Sequence, residues 1–412
     1  MEDGAAAAAA AAAVEAVSKV LGDDDLLDEI LLCVGFPTTL VRAAAVCKRW
    51  LHHASDKAFL RRFRKLNPPR ILGFYIQTFQ GPSRFVPMLP QPPELAAAVR
   101  IVEGYSFGVA NDADSFDYHE ALVQDCRNGS VSTVLRSSRH GWGVSVGVHS
   151  PLCPERSIAI DRPLSPQQQH PQYRGAHGFL VLSREEKDGG LSYFCVLLEN
   201  PMELDITSAT NFTAHVFMLK DGVWCMVASA TTRIDHWRRI QGMLVDNKLY
   251  MLATYIEITV LDLTNSTFST IQCPQGVGHF MISRADDASS LYLIGVKEHQ
   301  LGIWLHKGGS WSIVDTICLH EMCANLMMSD CRLKDAGISF LRMNYVGDNA
   351  EFVLLQMGRF MLYLDTRRRT LHTLYEMPQE EKYVDIIRIQ PFMMIWPPTF
   401  HALKCDPTSN AM

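Results

Sequence analysis

Apolar residues fall in two textures along the chain. Over residues 22–66 they keep helical spacing: Leu26, Leu27, Ile30, Leu31 and Val34 recur at i, i+1, i+4, i+5 and i+8, one face of a helix. Asp23, Asp24 and Asp25 ahead of them offer N-cap oxygens and complement the positive end of a helix dipole. Gly35 is a natural stop, and Pro37 suits the first turn of the next helix. The same pattern predicts a second short helix through Leu40–Val46, a third over Lys48–Ser55 and a fourth over Lys57–Lys65. The fourth turns Phe59, Leu60 and Phe63 inward and Arg61, Arg62, Arg64 and Lys65 outward.

Past Pro68-Pro69 the texture changes to short β-branched and aromatic runs separated by Gly, Asn and Asp pairs. Strands are expected at Ile71–Ile76, on both sides of Asn128-Gly129 within Glu120–Leu135, and over Trp142–Val148. Gly178–Ser183 should pair with Leu191–Leu198, and Leu249–Ala253 should follow a turn at Asp246-Asn247. Pro151–Gln172, rich in Pro, Gln and Arg, reads as a surface loop.

An internal repeat narrows the architecture. Ile258–Ile271 aligns without gaps on Met361–Leu374, sharing Leu261/Leu364, Asp262/Asp365, Thr267/Thr370 and Thr270/Thr373. Leu301–Val314 and Ala214–Val227 keep the apolar positions. Each window runs from an apolar strand through a polar or Gly-bearing turn to an apolar anchor: Trp224, Phe268, Trp311 and Leu371. Successive anchors are 44, 43 and 60 residues apart. The first two spacings match the roughly 40–50 residues of a four-stranded propeller blade. The third is stretched by Glu321–Gly337, an inserted loop or helix. The anchors are expected to pack between blades as structural residues, without chemistry. The expected fold is a small helical unit followed by an all-β propeller of about six to seven blades.

Forty-odd residues of short helices bury little core, so the head is expected either to dock on a partner or to cap the next domain. Its residues resemble an F-box. Asp23–Leu31 resembles the first F-box helix, Val46-Cys47-Lys48-Arg49-Trp50 resembles the V-C-K-x-W segment that closes the motif, and Ser55-Asp56-Lys57-Ala58-Phe59 follows as in the family. One departure is Leu21-Gly22 where the family has Leu-Pro, with one extra aspartate. The resemblance implies binding to the Skp subunit of a Skp–cullin–F-box ligase, and to cullin through it. The apolar candidates for that contact are Leu26, Leu27, Ile30, Leu31, Leu40, Val46, Cys47 and Trp50; for each of them core and interface remain equal readings. The whole chain resembles the plant F-box proteins with an F-box-associated, kelch-like propeller. Trp396-Pro397-Pro398-Thr399-Phe400 is similar to the closing motif of their grass-type group. The implied organisation is a low-complexity Ala-rich leader at 1–21, an F-box at 22–66, a propeller at 70–400 and a tail at 401–412.

Composition removes other classes. The net charge of −6 over 412 residues leaves no basic surplus to track phosphates, so nucleic acid is not expected as a partner. Eleven scattered cysteines with no CxxC pair point to reduced thiols in the cytoplasm or nucleus and to no zinc site. Ala5–Ala13 follows Glu2 and Asp3 instead of basic residues, which is unlike a signal peptide. No run reaches the ~20 apolar residues of a membrane helix. No GxSxG, P-loop, GxGxxG after a strand, or HExxH occurs, so neither catalysis nor a cofactor is expected. The chain is therefore expected to be a non-catalytic ligase adaptor, the propeller holding an unidentified protein target. The alternatives are a propeller enzyme or lectin with a helical cap, and an F-box protein acting with the Skp subunit outside a ligase.

Overall fold

In the computed structural model, Asp23 caps the helix that follows it by accepting the Leu26 N–H at 3.0 Å. The structure describes residues 14–67, 70–78, 83–88, 90–107, 118–137, 143–164, 176–186, 190–200, 210–234, 241–329 apart from 253, 255, 286, 288, 289 and 298, 341–377, 386–396 and Pro398. Its contacts separate two units, one of residues up to Ile71 together with those from Met393 on, the other of Leu72–Phe392.

The helical unit contains α1 (Asp24–Leu32), α2 (Pro37–Ala44), α3 (Lys48–Ser55) and α4 (Lys57–Leu66); residues 14–22 are also helical. Pro37 opens α2, where its missing N–H has no helical partner to lose. α2 ends at Ala44, two residues before the Val46 expected from the pattern, and α1 ends at Leu32, ahead of Gly35. Asp56 caps α4 by accepting the N–H groups of Ala58 and Phe59, both at 2.8 Å. The core is made by Leu27, Leu31, Leu40, Phe59 and Phe63. Trp396, from the far end of the sequence, completes it.

The second unit holds six sheets among the described residues. Blade II comprises β3 (Tyr118–Arg127), β4 (Ser130–Ser137), β5 (Gly143–His149) and β6 (Ile158–Asp161). Blade III comprises β7 (Ala176–Glu185), β8 (Leu191–Asn200), β9 (Thr210–Lys220) and β10 (Val223–Ile234). Blade IV comprises β11 (Gln241–Val245), β12 (Lys248–Leu252), β13 (Glu257–Asp262) and β14 (Thr267–Gln272). Blade V comprises β15 (His279–Arg284), β16 (Leu291–Lys297), β17 (Gln300–Lys307) and β18 (Ser310–Cys318). Blade VI comprises β19 (Leu341–Val346), β20 (Phe352–Met357), β21 (Phe360–Asp365) and β22 (Thr370–Glu376). Each is an antiparallel meander in sequence order, and the first strands of blades II and III, III and IV, and V and VI lie beside one another. Blade I joins the chain ends: β1 (Ile71–Thr78) lies between β2 (Arg84–Pro87) and β23 (Ile386–Met393). Strands from both ends in one sheet close the ring.

The four aligned windows are the hairpins between the third and fourth strands of blades III to VI. Their ninth residues, Gly222, Ser266, Gly309 and Arg369, all have positive φ, between 54° and 82°. Blades III and V reach this through two-residue turns in which Asp221 and Gly308 are left-handed as well. The four-residue turns of blades IV and VI hold the non-glycine Ser266 and Arg369 there and are braced by Asp262 and Asp365. The Asp262 carboxylate accepts the Thr264 N–H at 2.8 Å, and that of Asp365 the Arg368 N–H at 2.7 Å. The stretched interval before Leu371 contains helix α5 (Leu319–Ser329). Pro151–Gln172 requires a correction: within it Ile158–Asp161 is the outer strand of blade II, paired with β5. Ile158 is exposed there, and its apolar run, Ile158-Ala159-Ile160, is too short within a Pro- and Arg-rich stretch to mark a strand.

Candidate functional site

Two sets of side chains stand out, one in each unit. In the helical unit, α1 and α3 are joined through charge. The Arg49 guanidinium donates to Asp24 Oδ1 at 2.5 Å from Nη2 and to the carbonyls of Leu21 and Gly22. His53 bridges Asp28 and Asp24, at 2.9 and 3.1 Å. The hydrogen bond from Arg49 holds the Asp24 carboxyl below the usual carboxylate range. Arg49 thus grips the backbone at residues 21–22.

The eight apolar candidates divide by burial. Leu27, Leu31 and Leu40 are fully buried inside the unit, so they hold the helices together and present nothing to a partner. Periodicity could not separate them from Leu26 and Ile30, because one wide apolar stripe on α1 serves both core and surface. Leu26 and Ile30 lie one turn apart and stay 46% and 39% exposed. Val46, in the turn between α2 and α3, is 65% exposed, and Cys47 beside it is exposed as well. Trp50 is half-buried against the core. Leu66, at the end of α4, is another exposed apolar side chain that the sequence reading did not single out.

In the propeller, the anchors occupy the fourth strands and touch the neighbouring blade. The Trp224 indole N–H donates to the Asp161 carbonyl of blade II at 3.0 Å. That of Trp311 donates to the Gln272 carbonyl of blade IV at 2.7 Å. Phe268 lies against Phe212 of blade III, centroids 6.3 Å apart. Leu371 is buried in a cluster shared by blades V and VI. Their geometry is that of packing between blades.

A polar network that sequence reasoning missed spans the inner strands. Asp125 Oδ2 on β3 accepts both the N–H and the Oγ–H of Ser183 on β7, at 2.8 and 2.6 Å. Arg127, the last residue of β3, pairs with Asp348 after β19 at 3.2 Å. Arg284, the last residue of β15, donates to the Ser183 carbonyl at 3.3 Å. The Arg284 bond joins blades V and III and the Arg127 bond joins blades II and VI, each skipping the blade between, so both reach across the ring. Ser283 donates to the Gly347 carbonyl at 2.6 Å, and Arg388 on β23 to Gln124 at 2.8 Å. Burial, followed by the like charge of Arg127, pulls Arg284 down to about 10. Burial alone would lower Arg127 too, but the carboxylates of Asp348 and Asp125 outweigh it and raise the group. Burial first, and then Asp348, pushes the Tyr345 hydroxyl above its ordinary value. The only sequence signal was an Arg at or near the end of several inner strands, and no periodicity marks that.

The architecture is that of a small helical unit and a six-sheet β-propeller. Residues 122–400 match the family described as F-box protein AT5G49610-like, beta-propeller. The chain belongs to that family. No curated protein matches it. Among solved structures it is similar to a chain of a nidogen/laminin complex, at 12% identity and a TM-score of 0.38, covering 77% of this chain and 96% of that one. It is also similar to an oligogalacturonate lyase in complex with manganese, at 8% identity and a TM-score of 0.31, covering 61% and 76%. A third likeness is to prolyl oligopeptidase B from Galerina marginata, at 9% identity and a TM-score of 0.31, covering 64% and 33%. These scores are too low to carry an inference. No helix among the described residues is long and apolar enough to cross a membrane.

Proposed function

We propose that this chain is a non-catalytic substrate-recognition adaptor of a Skp–cullin–F-box ubiquitin ligase. The helical unit binds the Skp subunit, and cullin through it, while the propeller holds a protein target. The observation that carries this reading is the exposure of Val46 and Cys47 at the head of the Val46–Trp50 segment, in a chain of an F-box protein family. Apolar side chains left in water cost about 25 cal/mol per Å² relative to a covered surface, and a partner removes that cost. The contact set is Leu26, Ile30, Val46 and Cys47, with Trp50 fixed beneath by the core and Leu27, Leu31 and Leu40 holding the helices behind it. The ligase is served by proximity: both partners are held on one chain, and no bond is made or broken by it. The cytoplasm or the nucleus is the corresponding location.

Co-precipitation of the intact chain with the Skp subunit and cullin tests this. The double variant Leu26→Asp with Val46→Asp should lose the Skp subunit while keeping its circular dichroism, since both side chains are exposed. An intact chain that fails to bind the Skp subunit would overturn the proposal. Binding of the Skp subunit without cullin would place the protein outside a ligase.

A further inference from the structure

In blades II to VI the outer edge is the fourth strand, and on three of them a residue of the next blade caps it. The Asp161 carbonyl accepts the Trp224 indole N–H, the Gln272 carbonyl that of Trp311, and the Thr316 carbonyl the Arg369 guanidinium at 2.9 Å. The pairing registers turn all three carbonyls out of their sheets. β10 of blade III has no such cap among the described residues, because the anchor of blade IV is Phe268, a ring without a donor. β10 is also the longest described strand, with 12 residues, and carries no charge from Val223 to Thr232. Val223, Met226 and Val227 are exposed along it, and so is Cys225. Natural sheets protect such edges with charges, proline, bulges or short strands, since unpaired N–H and C=O groups template a further strand. The one device of that kind on β10 before Arg233 is a bulge at Val227, which leaves Ala228–Ile234 in regular, uninterrupted register.

We propose that the open edge of β10 receives an extended, uncharged segment of the target as a fifth strand of blade III. Main-chain bonds along Ala228–Ile234 hold the segment, and the exposed Met226 and Val227 beside that run take an apolar side chain at one end of it. The segment is uncharged because pairing strips water from side chains at the edge, and nothing on β10 before Arg233 can compensate a charge. A second copy of the chain fits less well: one pair of strands falls short of the roughly 800 Å² per partner that stable complexes bury. The proposal rests on the reading of the propeller as the target-holding unit, and it adds the form and chemistry of what is held.

The test uses the full chain and immobilised random heptapeptides of Ser, Thr, Val and Ile. Two matched sets accompany them, one N-methylated at alternate amides and one carrying a central glutamate. The intact chain should retain the unmodified set at least tenfold over both. Met226→Lys with Val227→Lys places charge on exposed positions of this edge and should lose that retention with its thermal midpoint unchanged. Ile313→Lys with Val314→Lys puts the same charges on β18, whose edge Arg369 caps, and should retain the peptides as the intact chain does. No retention by the intact chain, equal retention of either matched set, retention undiminished in the β10 variant, or loss in both variants would overturn the proposal. A dimer of the intact chain that the β10 variant abolishes would overturn it too, giving the edge to a second copy. Capture of the Skp subunit is scored separately on the intact chain. Its failure with peptide retention intact would sink the ligase reading and leave this edge standing; the reverse would leave the ligase reading and sink the edge.

Discussion

The indole of Trp396 lies flat on the ring of Phe63, centroids 5.6 Å apart and planes within 5°. Both rings are buried in the same core, and the Met394 N–H donates to the Arg70 carbonyl at 3.0 Å close by. The small helical unit thus gains a large aromatic from more than three hundred residues away. Trp396→Ala should destabilise that unit by about 3–5 kcal/mol, the usual cost of deleting a buried tryptophan. Hydrogen exchange would show it as lost protection across α1 to α4 with the propeller strands unaffected. Unchanged protection in the helices would mean that the four helices suffice alone.

Burial and exposure on α1 make opposite demands on neighbouring positions. Leu31→Asp should unfold the helical unit, because a carboxylate would enter a core with no partner for it. Ile30→Asp should change stability by no more than about 0.5 kcal/mol, as exposed positions do. Denaturant melts of the two variants, read by helical ellipticity, separate them.

His149 predicts a pH dependence for the propeller. Its ring is buried between Tyr105, Phe107 and Thr133, with Nε2 2.9 Å from Thr133 Oγ1 and Nδ1 3.1 Å from the Tyr105 hydroxyl. Burial lowers it from 6.5 to about 4. Between those values the unfolded chain takes up a proton that the native imidazole does not. Stability is therefore fully present above about 6.5 and falls as pH drops toward about 4, by up to about 3 kcal/mol. The carboxyls of Asp24, Asp56 and Asp262 are held below 3.8 and titrate beneath this window. Urea midpoints across pH 4.5–7.5 should slope for the intact chain and flatten for His149→Gln; equal slopes would remove His149 as the cause.

Gly147 makes room for that histidine. A Cβ there would overlap both His149 Nε2 and Thr133 Oγ1. Gly147→Ala should cost about 1–3 kcal/mol as an overpacked site, visible as a lower propeller melting temperature. A neutral outcome would show that the histidine has somewhere else to go.

The Trp311 bond to blade IV can be removed without removing the ring. Trp311→Phe keeps apolar packing and loses the donor to the Gln272 carbonyl, and should cost about 0.5–1.5 kcal/mol in a thermal or urea melt. An unchanged midpoint in Trp311→Phe would assign the residue to packing alone.

Local rules determined much of this protein. The caps at Asp23 and Asp56, the Pro37 start and the span of α3 follow from residues within a few positions of one another, because a helix is closed by bonds to its own neighbours. The repeated hairpins were legible for the same reason: third and fourth strands are joined by one tight turn, so Trp224, Phe268, Trp311 and Leu371 return at the same place in each window. Tertiary structure alone decided the rest. Whether Leu26 or Leu27 faces water depends on which side of α1 meets α4, and the stripe itself is silent on that. The partnership of Trp396 with Phe63, the sheet shared by β1 and β23, and the meeting of Arg127, Ser183 and Arg284 join residues far apart in sequence. No periodicity encodes them, since each arises only when the ring closes and brings distant strand ends together.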